Sequence, residues 1–205
     1  VGNPTNPTSV LHPATDVLDL RADGRLLVVD EAFADLAPGE SVADQSRDDV
    51  VVLRSVTKTF GLAGLRAGYL LAAPPVIAEL TRSRRSWPVG SPVLAALRAC
   101  AGPLGRAYVE AAAARVVADR AYLCQRLTAA GLHLPVEPAA PFVLVRHARA
   151  SQIRVALARR GFAVRSAENF TGLGPEYLRF AVRAPDVVDD LSRALESVLE
   201  EVGSD

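Results

Sequence analysis

The chain of 205 residues carries 23 basic and 23 acidic side chains, so its formal net charge is zero, and 50% of it is hydrophobic. Phosphate-backbone affinity rests on an excess of Lys and Arg, so this balance excludes an ordinary nucleic-acid binder. No run of about 18 apolar residues is free of charge, which excludes a membrane-spanning helix. Val1 to Ser9 has neither the basic nor the apolar region of a signal peptide. Cys100 and Cys124 lie too far apart to make a disulfide framework, and neither sits in a zinc-ligand spacing. The expected location is the cytoplasm, with no metal. The length suits one large domain or two small ones.

Residues 1–9, VGNPTNPTS, read as a loop, because neither Asn-Pro pair continues a helix or sits in a central strand. Residues 13–22 suit a short helix, and Asp23-Gly24 turns the chain. Leu26 to Val29 is an apolar run that ends at Asp30-Glu31, as a buried strand would. Val50 to Leu53 repeats the pattern, and Ala67 to Ala73 is a third run before Pro74-Pro75. Strands apolar on both faces, separated by helical or looping segments, predict an α/β fold with a mainly parallel sheet.

The character changes at Pro92. Between Arg106 and Ala130 there is no Gly or Pro, and the Ala-rich, Arg-spaced pattern predicts a helix long enough to bridge two lobes, stopped at Gly131. Beyond it Phe142–Val145, Phe162–Arg165 and Tyr177–Val182 read as strands, with helices over Ala150–Arg160 and Pro185–Val202. The expected division is residues 1–104, a connecting helix at 105–130, and an α+β lobe at 131–205. No internal repeat interrupts it.

Asp30 and Glu31 stand at the carboxyl end of a strand, where P-loop ATPases place a metal-binding Asp. That fold also needs a glycine-rich loop ending in Gly-Lys-Ser/Thr. Lys58 is the only lysine, and Thr57 precedes it in SVTKTFG. The ATPase reading fails there; otherwise an acid in this position caps the next helix. All the other basic residues are arginine, a bias that a GC-rich genome accounts for without explaining the one lysine that remains. Ser55, Thr57 and Arg66 supply the hydroxyls and guanidinium of a phosphate cradle. A lysine partly desolvated near other cations is an amine nucleophile toward an aldehyde. The plainer reading of Lys58 is an exposed side chain on a glycine-rich turn.

Taken in order, NPTNPT, DEAF, S-x-T-K-x₇-R and YLR resemble the class I/II aminotransferase family of pyridoxal-phosphate enzymes, fold type I. The wording is most similar to histidinol-phosphate aminotransferases and to the threonine-phosphate decarboxylases of cobalamin biosynthesis. The resemblance covers the whole chain but only the C-terminal three-fifths of such an enzyme. It implies part of the large domain followed by the small C-terminal α+β domain. It also implies that Asn6 hydrogen-bonds the phenolic oxygen of pyridoxal 5'-phosphate and that Asp30 pairs with its ring nitrogen. Ser55, Thr57 and Arg66 would hold its phosphate, and Lys58 would carry it covalently and shuttle a proton. Arg179 would clamp the carboxylate of an amino-acid substrate, and Arg165 its distal phosphate; a solvent-facing arginine is the plainer reading of Arg165. A homodimer is implied in the same way.

Three features depart from that pattern. Phe33 stands where a tyrosine commonly donates to the phenolic oxygen, and losing that donor should raise the pKa of the lysine-bound cofactor. DEAF and NFTGL…YLRFAVR favour the decarboxylase wording, with histidinol-phosphate-type transamination second. Ser9 follows NPT where glycine is usual. The N-terminal part of the family pattern is missing, and with no methionine Val1 marks either a GTG start or a fragment, which leaves open a non-catalytic remnant or partial subunit. His12, His133 and His147 have no partner spacing, Arg82, Arg84 and Arg85 suit a solvated helix face, and Trp87 is expected to pack at the lobe boundary.

Overall fold

The computed structural model describes residues 1–45 and 48–203. It divides into two units, Val1–Thr5 with Leu11–Ala114, and Asn6–Val10 with Arg115–Asp205.

The first unit is built on β1 (Leu27–Asp30), β2 (Val50–Ser55) and β3 (Gly68–Leu71), in that spatial order. β1 and β2 are parallel, with Leu27 opposite Val50 and Asp30 opposite Leu53. Alternation buries Leu27 and Val29 and exposes Val28 and Asp30. The buried pair packs with Val50 and Val52 against Val17 of α1 (Ala14–Leu18) and against Val42. β3 returns antiparallel to β2. The link between them is the one-turn α2 (Val56–Thr59) and a 3₁₀ turn at Ala63–Leu65, not the full crossover that a parallel strand needs. The α/β class holds, with this antiparallel strand beside the parallel pair. Gly68 pairs with Ser55, and a Cβ there would lie 2.5 Å from the Arg54 carbonyl oxygen. The strands can approach only because residue 68 has no side chain.

Two helices beyond the sequence reading follow, α3 (Pro74–Arg82) and α4 (Ser91–Ala101), each with proline in its first turn. Neither contains a buried residue. Trp87, between them, is 90% exposed. Within the first unit neither flanking helix buries it. α5 (Pro103–Ala129) runs from the first unit into the second. It ends where Gly131 takes a φ of +82° and the Gly131 and Leu132 amides donate to Thr128 and Leu127 carbonyls.

The second unit has an antiparallel sheet in the order β4 (Phe142–Arg146), β6 (Tyr177–Ala181), β5 (Arg165–Ser166). Helices α6 (Ala150–Arg159) and α7 (Pro185–Gly203) bury Ile153, Leu157, Leu195 and Val198 with Leu123 and Leu127 of α5. β5 is shorter than expected because Phe162 and Val164 pack against this core instead of entering the sheet. Ser9 explains its own departure from glycine. Its φ is +69°, the left-handed region, and it is fully buried. Its hydroxyl accepts a hydrogen bond from the Ala140 amide at 2.8 Å, and its carbonyl accepts one from the Ala139 amide at 2.8 Å.

Removing the Ser9 hydroxyl strands a buried amide, which costs about 1–3 kcal/mol. Ser9→Ala should therefore lower stability by about that much in urea unfolding. Ser9→Gly should lose less, because glycine adopts the positive φ freely. Equal losses for the two variants would contradict this account of the turn.

Candidate active site

In the first unit the site begins with the alternation at the ends of β1 and β2. Asp30 is exposed, and its Oδ1 accepts a hydrogen bond from the Ala32 amide at 3.0 Å. That bond fixes the carboxylate while leaving further lone pairs to accept from a cation or an N–H donor. Ser55 ends β2, and its hydroxyl lies 2.7 Å from that of the buried Thr57. Lys58 follows on α2, exposed, with Nζ 5.8 Å from the centre of the Phe33 ring. Arg66 is exposed at the end of the 3₁₀ turn, where its φ of +49° is unusual for a side-chain-bearing residue. The structure thus joins Lys58 to Phe33 and Ser55 to Thr57.

The opposite faces of the same strand ends carry charges of a different kind. Glu31 is 1% exposed; its carboxylate accepts from the Ser41 hydroxyl and the Val42 amide, both at 2.7 Å, and pairs with Arg54 at 3.0 Å. Arg54 also donates to Asp35 at 2.6 Å, and the second Asp35 oxygen accepts from the Thr59 hydroxyl at 2.9 Å. The sequence reading noticed Glu31 only as the neighbour of Asp30 and missed Arg54, Asp35 and Thr59. Their signal was present: an arginine at a core-facing position of an apolar strand requires a carboxylate nearby.

In the second unit Arg165 and Arg179 are direct cross-strand partners on β5 and β6. Arg179 donates to the Asn6 side-chain oxygen at 2.5 Å, and its guanidinium lies 4.9 Å from the centre of the Phe142 ring. The Arg165 guanidinium lies 5.4 Å from the centre of the Phe170 ring. Burial, and then the Arg165 charge, push the Arg179 pKa below the ordinary arginine value. Among the described residues no ion pair to a carboxylate neutralises either arginine. An anion is the natural complement of this pair. Because arginine only donates, Asn6 must turn its oxygen to Arg179, which leaves its NH₂ group to donate elsewhere.

Among the described residues no group of three metal-ligand side chains occurs, and no helix is long and apolar enough to cross a membrane.

A family model for aminotransferase class I and II matches residues 1–198. The chain belongs to that family. It is 52% identical over 185 residues to a histidinol-phosphate aminotransferase of Mycobacterium tuberculosis, covering 89% of this chain and 50% of that protein. It is 36% identical over 196 residues to a threonine-phosphate decarboxylase of Sinorhizobium sp, covering 93% of this chain and 56% of that protein. Among solved structures, the histidinol-phosphate aminotransferase from Clostridium acetobutylicum superposes with a TM-score of 0.88 at 24% identity, over 98% of this chain and 63% of that one. The enzyme of that name from Sinorhizobium meliloti, in complex with pyridoxal-5'-phosphate, gives 0.81 at 25% identity, over 98% and 57%. The class I/II aminotransferase chain described here spans about half the length of the curated relatives it matches.

Like charges directly opposed across two strands destabilise a sheet. Arg165→Gln should therefore stabilise the chain by about 0.2–1 kcal/mol in phosphate-free buffer, read by urea unfolding. A loss of stability would show that the two guanidinium groups do not repel.

Proposed function

We propose that this chain carries the lysine, the cofactor contacts and the substrate arginines of a pyridoxal-phosphate enzyme acting on a phosphorylated amino acid. The observation that carries the reading is the setting of Lys58. The chain's only lysine is exposed one turn beyond a parallel strand, after a pair of hydroxyls and beside an aromatic ring.

The donor set fits the cofactor's charges. Asp30, at the carboxyl end of the neighbouring strand, would hold a proton on the ring nitrogen. Ser55, Thr57 and Arg66 would donate to the phosphate, and the free NH₂ of Asn6 to the phenolic oxygen. Phe33 offers its ring but no hydroxyl. When bound, pyridoxal phosphate supplies an electron sink for the bonds at the substrate α-carbon. Lys58 would act as the amine nucleophile toward its aldehyde and then move the proton at the α-carbon. Arg179 would bind the α-carboxylate of an amino-acid substrate bidentately and Arg165 a distal phosphate; for histidinol phosphate, which has no carboxylate, the arginine pair would hold the phosphate.

Amino-group transfer of the histidinol-phosphate type is the reaction best supported, by the 52% identical relative. Decarboxylation of threonine phosphate, as in cobalamin biosynthesis, is the second reading, supported by the DEAF wording and the 36% identical relative. Both reactions use the residues named above and differ in which α-carbon bond stands perpendicular to the ring. We further infer a homodimeric, cytoplasmic enzyme with the division at residues 105–130. A partial subunit completed by other chain segments is a further reading, supported by the half-length match.

The test is to add pyridoxal phosphate, reduce with borohydride and map the added mass. The reading predicts close to one label per chain on Lys58, with Lys58→Ala controlling for the terminal amine. A folded chain that takes no label on Lys58 would contradict it.

A further inference from the structure

We infer that Glu31, Arg54, Asp35 and Thr59 form a positioning brace that holds Lys58 in place from the opposite face of the sheet. The inference rests on the proposed role of Lys58, and none of the four residues would touch cofactor or substrate.

The chain of contacts begins one residue after Asp30 and ends one residue after Lys58. Glu31 pairs with Arg54 at 3.0 Å, Arg54 with Asp35 at 2.6 Å, and Asp35 accepts from Thr59 at 2.9 Å. Successive strand residues point to opposite faces. Asp30 and Ser55 therefore share one face, and Glu31 and Arg54 take the other. Glu31, Arg54 and Thr59 are the sequence neighbours of Asp30, Ser55 and Lys58, which the proposed function uses, and Asp35 joins Arg54 to Thr59. The brace fixes the backbone of those residues without competing for their side chains.

The tie at Thr59 matters because α2 cannot hold itself. It is four residues long and lacks a side-chain cap at its N-terminus. Isolated helices much shorter than about 12 residues are unstable in water, so tertiary contacts must fix this turn. Gly61, with a φ of +66°, follows two residues later and allows the backbone to swing. The Thr59 hydroxyl, on a buried residue, is the bond by which the lysine turn grips Asp35. Asp35 in turn is held by a guanidinium that also contacts Glu31 and the Ser41 hydroxyl. A planar fork gripped at both terminal nitrogens has one orientation.

The brace predicts a separation between stability and cofactor capture. Thr59→Val keeps the shape of the side chain and removes the bond to Asp35; Thr59→Ser keeps the bond. The lost bond is to a charged acceptor, so the apparent dissociation constant for pyridoxal phosphate should rise roughly tenfold in Thr59→Val. Thr59→Ser should restore it.

The experiment uses the full chain. Absorbance titration with pyridoxal phosphate and borohydride labelling of Lys58 are measured beside thermal unfolding and amide exchange of residues 56–60 without cofactor. The expected result is weaker capture and faster exchange of residues 56–60 in Thr59→Val, rescue in Thr59→Ser, and unchanged exchange in β4 and β6. Equal capture by the parent chain and Thr59→Val would overturn the inference. If the parent chain takes no label, the proposed function fails separately. Exchange then decides the brace: unchanged protection of residues 56–60 in Thr59→Val overturns it, and lost protection supports it.

Discussion

A guanidinium largely withdrawn from water must be matched, and Arg54 is matched by two carboxylates from two different segments. Much of the first unit follows from that need. Glu31 has to follow β1 directly, Asp35 has to fold back toward Arg54, and Ser41 has to close the remaining contact. Breaking a buried pair leaves an uncompensated charge and is strongly destabilising, so these segments cannot drift apart independently. Gly68 serves the same end, since only a glycine lets β3 approach the Arg54 backbone.

The two units treat arginine in opposite ways. Arg54 is paired and enclosed, with its charge spent on neighbours. Arg165 and Arg179 face each other across two strands, with an amide oxygen and aromatic rings for company. The first arrangement holds a backbone in place, whereas the second leaves positive charge available. This contrast separates a structural cation from a binding one more clearly than exposure does, because Arg54 and Arg179 are both only partly buried.

The strands at Leu27–Asp30 and Val50–Ser55 were legible because apolar runs ended by charge have few other interpretations. α5 and α7 were legible from unbroken helical patterns and glycine or proline punctuation. α3 and α4 were not, because they lie in a stretch punctuated by proline and glycine, from Pro74 to Pro103, which reads as turns rather than helices. The residues proposed for chemistry were named from motif order, and the structure brings Arg165 beside Arg179 and Lys58 beside Phe33. The brace was not named, because its members are scattered over 29 positions, from Glu31 to Thr59, and only the fold closes the gap. Ser9 lay between these cases: the sequence showed the departure from glycine, and the Ala140 hydrogen bond supplied the reason.

Asp30 and Glu31, adjacent acids on opposite faces, are proposed to do different work: one holds the cofactor and the other holds the fold. Thermal unfolding of the parent chain, Asp30→Asn and Glu31→Gln, each with and without pyridoxal phosphate, tests that division most directly. A ligand at 100 times its dissociation constant adds about 2.7 kcal/mol of stability, enough to read as a shift in Tm. Asp30→Asn should keep the ligand-free Tm and lose the shift, whereas Glu31→Gln should lower the ligand-free Tm itself. The reverse assignment, with Asp30 needed for the ligand-free fold and Glu31 dispensable to it, would contradict the account.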